Sequence, residues 1–157
     1  MEQMADYAQL DPREAYTAGL LRSVGKIALN RLAAKAPDHA SYAIEGRGPL
    51  GAWETEVIGL SSCEATALIL EEWRFPAETV DAIRRHCEPG PDAPAMAQLL
   101  NLAAGAAERC GHSLPGEFSY WELTPEKLAA TGLEGEQLDE ITRRALELFG
   151  PVRAAVG

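Results

Sequence analysis

The chain has 157 residues, 46% of them hydrophobic, enough to bury one core and few for two. Its 24 acidic residues outweigh 14 basic ones, and the resulting net charge of −10 repels phosphate backbones and anionic lipid headgroups, which makes nucleic acid and membrane surfaces poor partners. No run approaches the roughly 18 apolar residues of a membrane span, and the opening MEQMADYAQLDPRE lacks the basic-then-apolar order of a signal peptide, so a cytoplasmic location is expected.

Apolar and polar residues never alternate over a strand-length run, whereas helix starts and stops recur, so the chain reads as all-α. Asp11, with Pro12 at the first helical position and Glu14 completing a capping box, opens a helix that runs to about Val24. Gly25 interrupts it, and a second helix from Lys26 to Lys35, with Ile27, Leu29 and Leu32 available to the core, ends at Pro37. The stretch from Pro37 to about Gly51 is a long Gly- and Pro-rich loop. Within it Gly46, Gly48 and Gly51 spell GxGxxG, but no strand precedes them and Pro49 lies inside, so a glycine loop is read and not a dinucleotide site.

Trp53 to Ile58 is a short helical piece closed by Gly59. Ser61 and Glu64 then cap a helix that reaches Trp73, with Ala65, Leu68, Ile69 and Trp73 as its expected buried face. Pro76 starts the next helix, with Val80 and Ile83 on its apolar side, and the Pro89–Pro94 loop stops it. Ala95 to Cys110, nearly all Ala and Leu, is predicted to be the central helix, closed by Gly111. Thr124 and Pro125 open a short helix ending near Gly132. A final helix carries the stripe Leu138, Ile141, Ala145 and Leu148, with Asp139, Glu140, Arg143 and Arg144 on its wet side, up to Gly150 and Pro151.

The common short motifs of phosphate cradling, acyl transfer and zinc peptidase chemistry are absent from the sequence. Cys63, Cys87 and Cys110 are odd in number, widely spaced and without a CxxC pair, which points to reduced, partly buried thiols and not to a disulfide framework or a zinc ribbon. The three histidines, His39, His86 and His112, lie scattered in or beside loops, and a hydrolytic metal needs three or more converging ligands. His86, near a helix end, is accounted for by the negative C-terminal dipole.

Four stretches in order resemble the HDOD family, relatives of the HD metal-phosphohydrolases. AYTAGLLRSVGKIAL resembles the family's AFLAGLLHDIG, and IGLSSCEATALILEEWRFP resembles LGxxHxEVGAxLLxxWxLP. AIRRHCEP resembles AIxxHHxP, and LLNLAAGAAERCG resembles VHLADxLAxxxG. The resemblance implies an HD-domain-like orthogonal bundle of about six to eight helices. It further implies an HDOD-like domain over residues 1–111, here without the family's N-terminal part, and a small helical extension over 112–157. Such domains serve as signalling or regulatory output modules in bacteria.

In catalytic HD proteins a His-Asp pair and outlying His and Asp residues hold divalent metals that activate water. At the matching positions this chain has Arg22 and Ser23 for the doublet, Cys63 and Cys87 for two histidines and Ala104 for an aspartate, so that His86 alone is kept. A guanidinium cannot lose its proton and repels a divalent ion. The resemblance therefore implies a non-catalytic signal-transduction module with no catalytic residue, metal or cofactor, whose six degenerate positions line a binding cleft where Arg22 pairs with a carboxylate or phosphate. A protein contact or self-association as a dimer is the expected mode of action, over apolar helix faces left uncovered. Three alternatives stand beside it: a divergent metal-dependent phosphohydrolase, a structural subunit of a homo-oligomer, and a zinc site made of Cys63, His86 and Cys87.

Overall fold

The capping residues start the helices where the sequence places them. In the computed structural model, which describes residues 1–34, 50–112 and 121–156, the Asp11 carboxylate accepts from the amides of Arg13 (2.8 Å) and Glu14 (3.1 Å). Helix α2 (Pro12–Leu21) follows it, and a short α1 (Glu2–Ala5), not anticipated from the sequence, precedes it and buries Met4 and Ala5.

The break before α3 (Val24–Ala33) falls at Arg22–Ser23 and not at Gly25, which is helical. Gly25 is there for packing. A Cβ on it would stand 2.3 Å from the Ser62 carbonyl oxygen and 2.6 Å from the Thr66 amide nitrogen. Its own amide, one of the orphan donors of a helix's first turn, donates to Thr66 Oγ1 at 2.9 Å. Leu29 is buried in α3 as expected, but Ile27 and Leu32 are exposed. Helix α4 (Leu50–Ile58) begins earlier than predicted and removes Leu50 and Gly51 from the expected loop; Gly59, at φ 85°, closes it. The rest of that loop, with His39, Gly46, Gly48 and Pro49, lies outside the described residues.

Ser61 Oγ accepts from the Glu64 amide at 3.2 Å and starts α5 (Ser62–Glu72). Its buried stripe is Cys63, Thr66, Ala67 and Leu70, with Ala65 beside it, whereas the predicted Leu68 and Trp73 face outward. Ala65 is buried as predicted, and the rest of the face turns toward small residues because the side packed on α3 makes a close approach at Gly25. Helix α6 (Ala77–Arg85) buries Val80 and Ile83 as predicted.

Helix α7 (Ala95–Arg109) is the central element, with Ala97, Leu99, Leu100, Leu102, Ala104 and Ala106 all buried. It contributes to both core clusters: one joins Leu100 to Ala18, Leu70, Val80 and Ile83, the other joins Leu99 and Leu102 to Met4, Ala15, Leu133 and Leu138. Thr124 caps α8 (Pro125–Thr131), which ends at Gly132 with φ 70°. In α9 (Gly135–Val156) Leu138 and Ile141 are buried, but Ala145 is exposed and Leu148 is 66% exposed, so the predicted stripe is half buried. The helix also runs through the expected stop, since Pro151 removes one backbone donor without ending it. The fold is all-α, with no strand among the described residues. None of its described helices is long and apolar enough to cross a membrane.

Candidate functional site

Residues 73–76 form a short connection that folds α6 back along α5, so the first turn of α5 meets the last turn of α6. The predicted positions Cys63, His86 and Cys87 converge there, with their ligand atoms all within 4.8 Å of one another. The sulfurs of Cys63 and Cys87 are joined as a disulfide across a Cα separation of 6.8 Å. This corrects the expectation of reduced thiols for that pair. The helical turn-back brings together two cysteines that are 24 residues apart in sequence, which spacing alone did not disclose. Cys110 is a free thiol.

His86 caps α6 and is 2% exposed. Its Nδ1 lies 2.6 Å from the Ile83 carbonyl oxygen, which only accepts, so Nδ1 donates there. Nε2 is the nitrogen that faces Cys87 Sγ, at 4.0 Å. Asn101 of α7 donates from Nδ2 to the carbonyls of His86 (2.9 Å) and Cys87 (3.2 Å), and thereby ties the end of α6 to the central helix. On the opposite element, the buried Glu54 of α4 accepts from the Ser62 amide at 2.7 Å and caps α5 from outside it. Arg84 joins α6 to α5 through Glu64 (2.8 Å) and Glu71 (2.9 Å), and these hydrogen bonds, that to Glu71 first, raise its pKa above the ordinary value.

Trp121 connects this cluster to Arg22. Its indole is 2% exposed, stacks near-parallel on His86 with ring centres 5.9 Å apart, and lies 5.4 Å beneath the Arg22 guanidinium. Among the described residues, four of the six degenerate positions line one or other of two cavities. Cys63 and Cys87 face a cavity of about 460 Å3 that Lys26, Glu54, Arg84 and Glu88 also line. Arg22 and Ala104 face another, of about 480 Å3, beside Tyr16, Leu20 and Leu148. Ser23 precedes α3 and makes no side-chain capping bond.

Sequence reasoning missed Trp121, Asn101 and Glu54. Asn101 had a signal, as the polar exception inside LLNLAAGAA. Trp121 and Glu54 had none, because their roles depend on which distant helix they meet.

The sequence model of the HDOD domain matches residues 1–89, from α1 to just past Cys87. The chain belongs to the HDOD family. The match takes in three of the four resembling stretches and stops before the one on α7. Comparison with curated proteins and with solved structures returned no match.

A hydrolytic divalent metal, as bound by the catalytic HD relatives of HDOD domains, does not fit these residues. Such ions take carboxylate oxygens and imidazoles with a position left open for water. Arg22 offers a fixed positive charge, Ala104 offers no donor atom, and the buried indole of Trp121 lies against both Arg22 and His86.

Proposed function

We propose that this HDOD chain is a non-catalytic regulatory module of signal transduction that acts in the cytoplasm by binding, with a protein as partner. The observation that carries this reading is Trp121: a buried aromatic ring joins Arg22 to His86, two positions that the family resemblance matches to metal-holding residues of catalytic relatives. The buried indole packs the bundle and carries the Arg22 guanidinium over its ring, a fixed positive charge that opposes a hydrolytic divalent ion. The protein-partner reading is supported by the groove beside Arg22, where Tyr16 is 55% exposed and Leu20 and Leu148 are each 66% exposed. Exposed apolar side chains gathered in one groove suit the apolar face of an amphipathic protein segment better than a small polar metabolite.

The purified chain, incubated with manganese or magnesium, is expected to release no phosphate from phosphomonoesters and to leave cyclic dinucleotides intact. Metal-dependent turnover that disappears in His86→Gln would overturn this reading in favour of a divergent phosphohydrolase.

A further inference from the structure

We infer that, once the Cys63–Cys87 disulfide is reduced, Cys63, Cys87 and His86 form a three-ligand site for one zinc ion. The inference goes beyond the binding role proposed above and does not depend on it. Two thiolates and one imidazole are a soft donor set of the kind that selects zinc over magnesium, calcium or manganese, and no carboxylate belongs to the trio. Tetrahedral ligands about 2.0–2.3 Å from zinc stand roughly 3.6–3.8 Å apart, so after reduction the two sulfurs, about 2 Å apart while bonded, separate by a little under 2 Å, and the nitrogen-to-sulfur distances, none above 4.8 Å, close by about 1 Å or less. Rotation of the cysteine side chains supplies a movement of that size without shifting a helix.

The surroundings are built as a metal site's supports are. Nδ1 of His86 donates to the Ile83 carbonyl, which orients the ring and fixes the tautomer that presents Nε2 to the sulfurs. Asn101 holds the backbone carbonyls of the two ligands just past α6, and the Ser61 cap together with Glu54 holds the first turn of α5 that carries Cys63. Two thiolates cancel the charge of the ion, so the unit placed among the buried Cys63 and His86 is neutral overall. The fourth position opens toward the cavity that Cys63 and Cys87 line, where water completes the tetrahedron.

The chemistry balances in two steps. A dithiol or phosphine reductant gives two electrons to the disulfide, which takes up two protons and becomes two thiols. Zinc then displaces both thiol protons into the buffer and accepts the Nε2 lone pair, with no change in its own oxidation state. Disulfide and zinc are therefore mutually exclusive ways of joining α5 to α6.

Cobalt is the probe. Titrated into the phosphine-reduced chain, it is expected to give a thiolate-to-cobalt charge-transfer band that saturates at one equivalent and is abolished by zinc. The oxidised chain should give none. Cys63→Ser, Cys87→Ser and His86→Gln should each weaken binding about tenfold to a hundredfold, whereas Cys110→Ser should leave it unchanged. Should a substitution unfold the chain, the comparison of oxidised with reduced wild type decides alone. The inference is overturned if reduced, folded wild type shows no such band, or if the band survives Cys63→Ser and is lost in Cys110→Ser. Phosphatase activity is not read in any arm, so failure here leaves the binding role standing, and the reverse holds too.

Discussion

Gly25 is the residue at which local propensity and tertiary need conflict. A glycine one position inside a helix looks like a break, because its backbone freedom costs about 1 kcal/mol relative to alanine there. The structure keeps it helical because the α5 backbone at Ser62 and Thr66 leaves no room for a Cβ. Gly25→Ala is therefore expected to lower stability by about 1–3 kcal/mol, despite its better helix propensity. Chemical denaturation measures this, and a stabilised variant would show that α3 and α5 do not approach as described. His86 illustrates the opposite situation. Its nearness to Cys63 was implied by the family resemblance, but its stacking on Trp121 was not foreseeable.

Among the elements, capped starts were readable and buried faces only partly so. Asp11, Ser61 and Thr124 each accept amide hydrogen bonds as their sequence context foretold, because capping is decided within four residues. The buried face of α5 depended on what packs against it, and there small Thr66 and Ala67 displaced larger Leu68 and Trp73. On the wet side of α9, Glu140 accepts from Arg143 (2.7 Å) and Arg144 (2.8 Å), which lowers its pKa from 4.5, the Arg143 bond first. A carboxylate with a depressed folded pKa contributes stability above its unfolded value and loses it as pH falls through the folded one. Wild type should thus exceed Glu140→Gln in thermal midpoint by a small constant margin above pH 4.5, and the margin should close on further acidification. A margin that persists to the lowest pH at which the fold survives would refute the ion-pair explanation. High salt should shrink it as well, since the groups are exposed.

For the molecule as a whole, the net charge of −10 sets which partners can approach. Titration with duplex DNA or with anionic lipid vesicles at physiological salt is expected to show no binding, because no counterion release offsets repulsion between like charges. Saturable binding to either would mean that the cations Lys26, Arg84 and Arg85, which line one cavity, outweigh the overall field.

The sequence by itself determined that the chain is helical, where most helices start, that α7 is central, and that the HD doublet is replaced by Arg22 and Ser23. The helical features follow from short-range capping and periodicity, which act within a few positions along the chain, and the doublet assignment follows from the family resemblance. Only the tertiary structure decided that Cys63 and Cys87 are bonded, that Trp121 joins Arg22 to His86, and that Cys63 and Cys87 face one cavity while Arg22 and Ala104 face another. Contacts between residues tens of positions apart depend on how helices turn back and how closely their backbones approach, and no local pattern in the sequence encodes that distance.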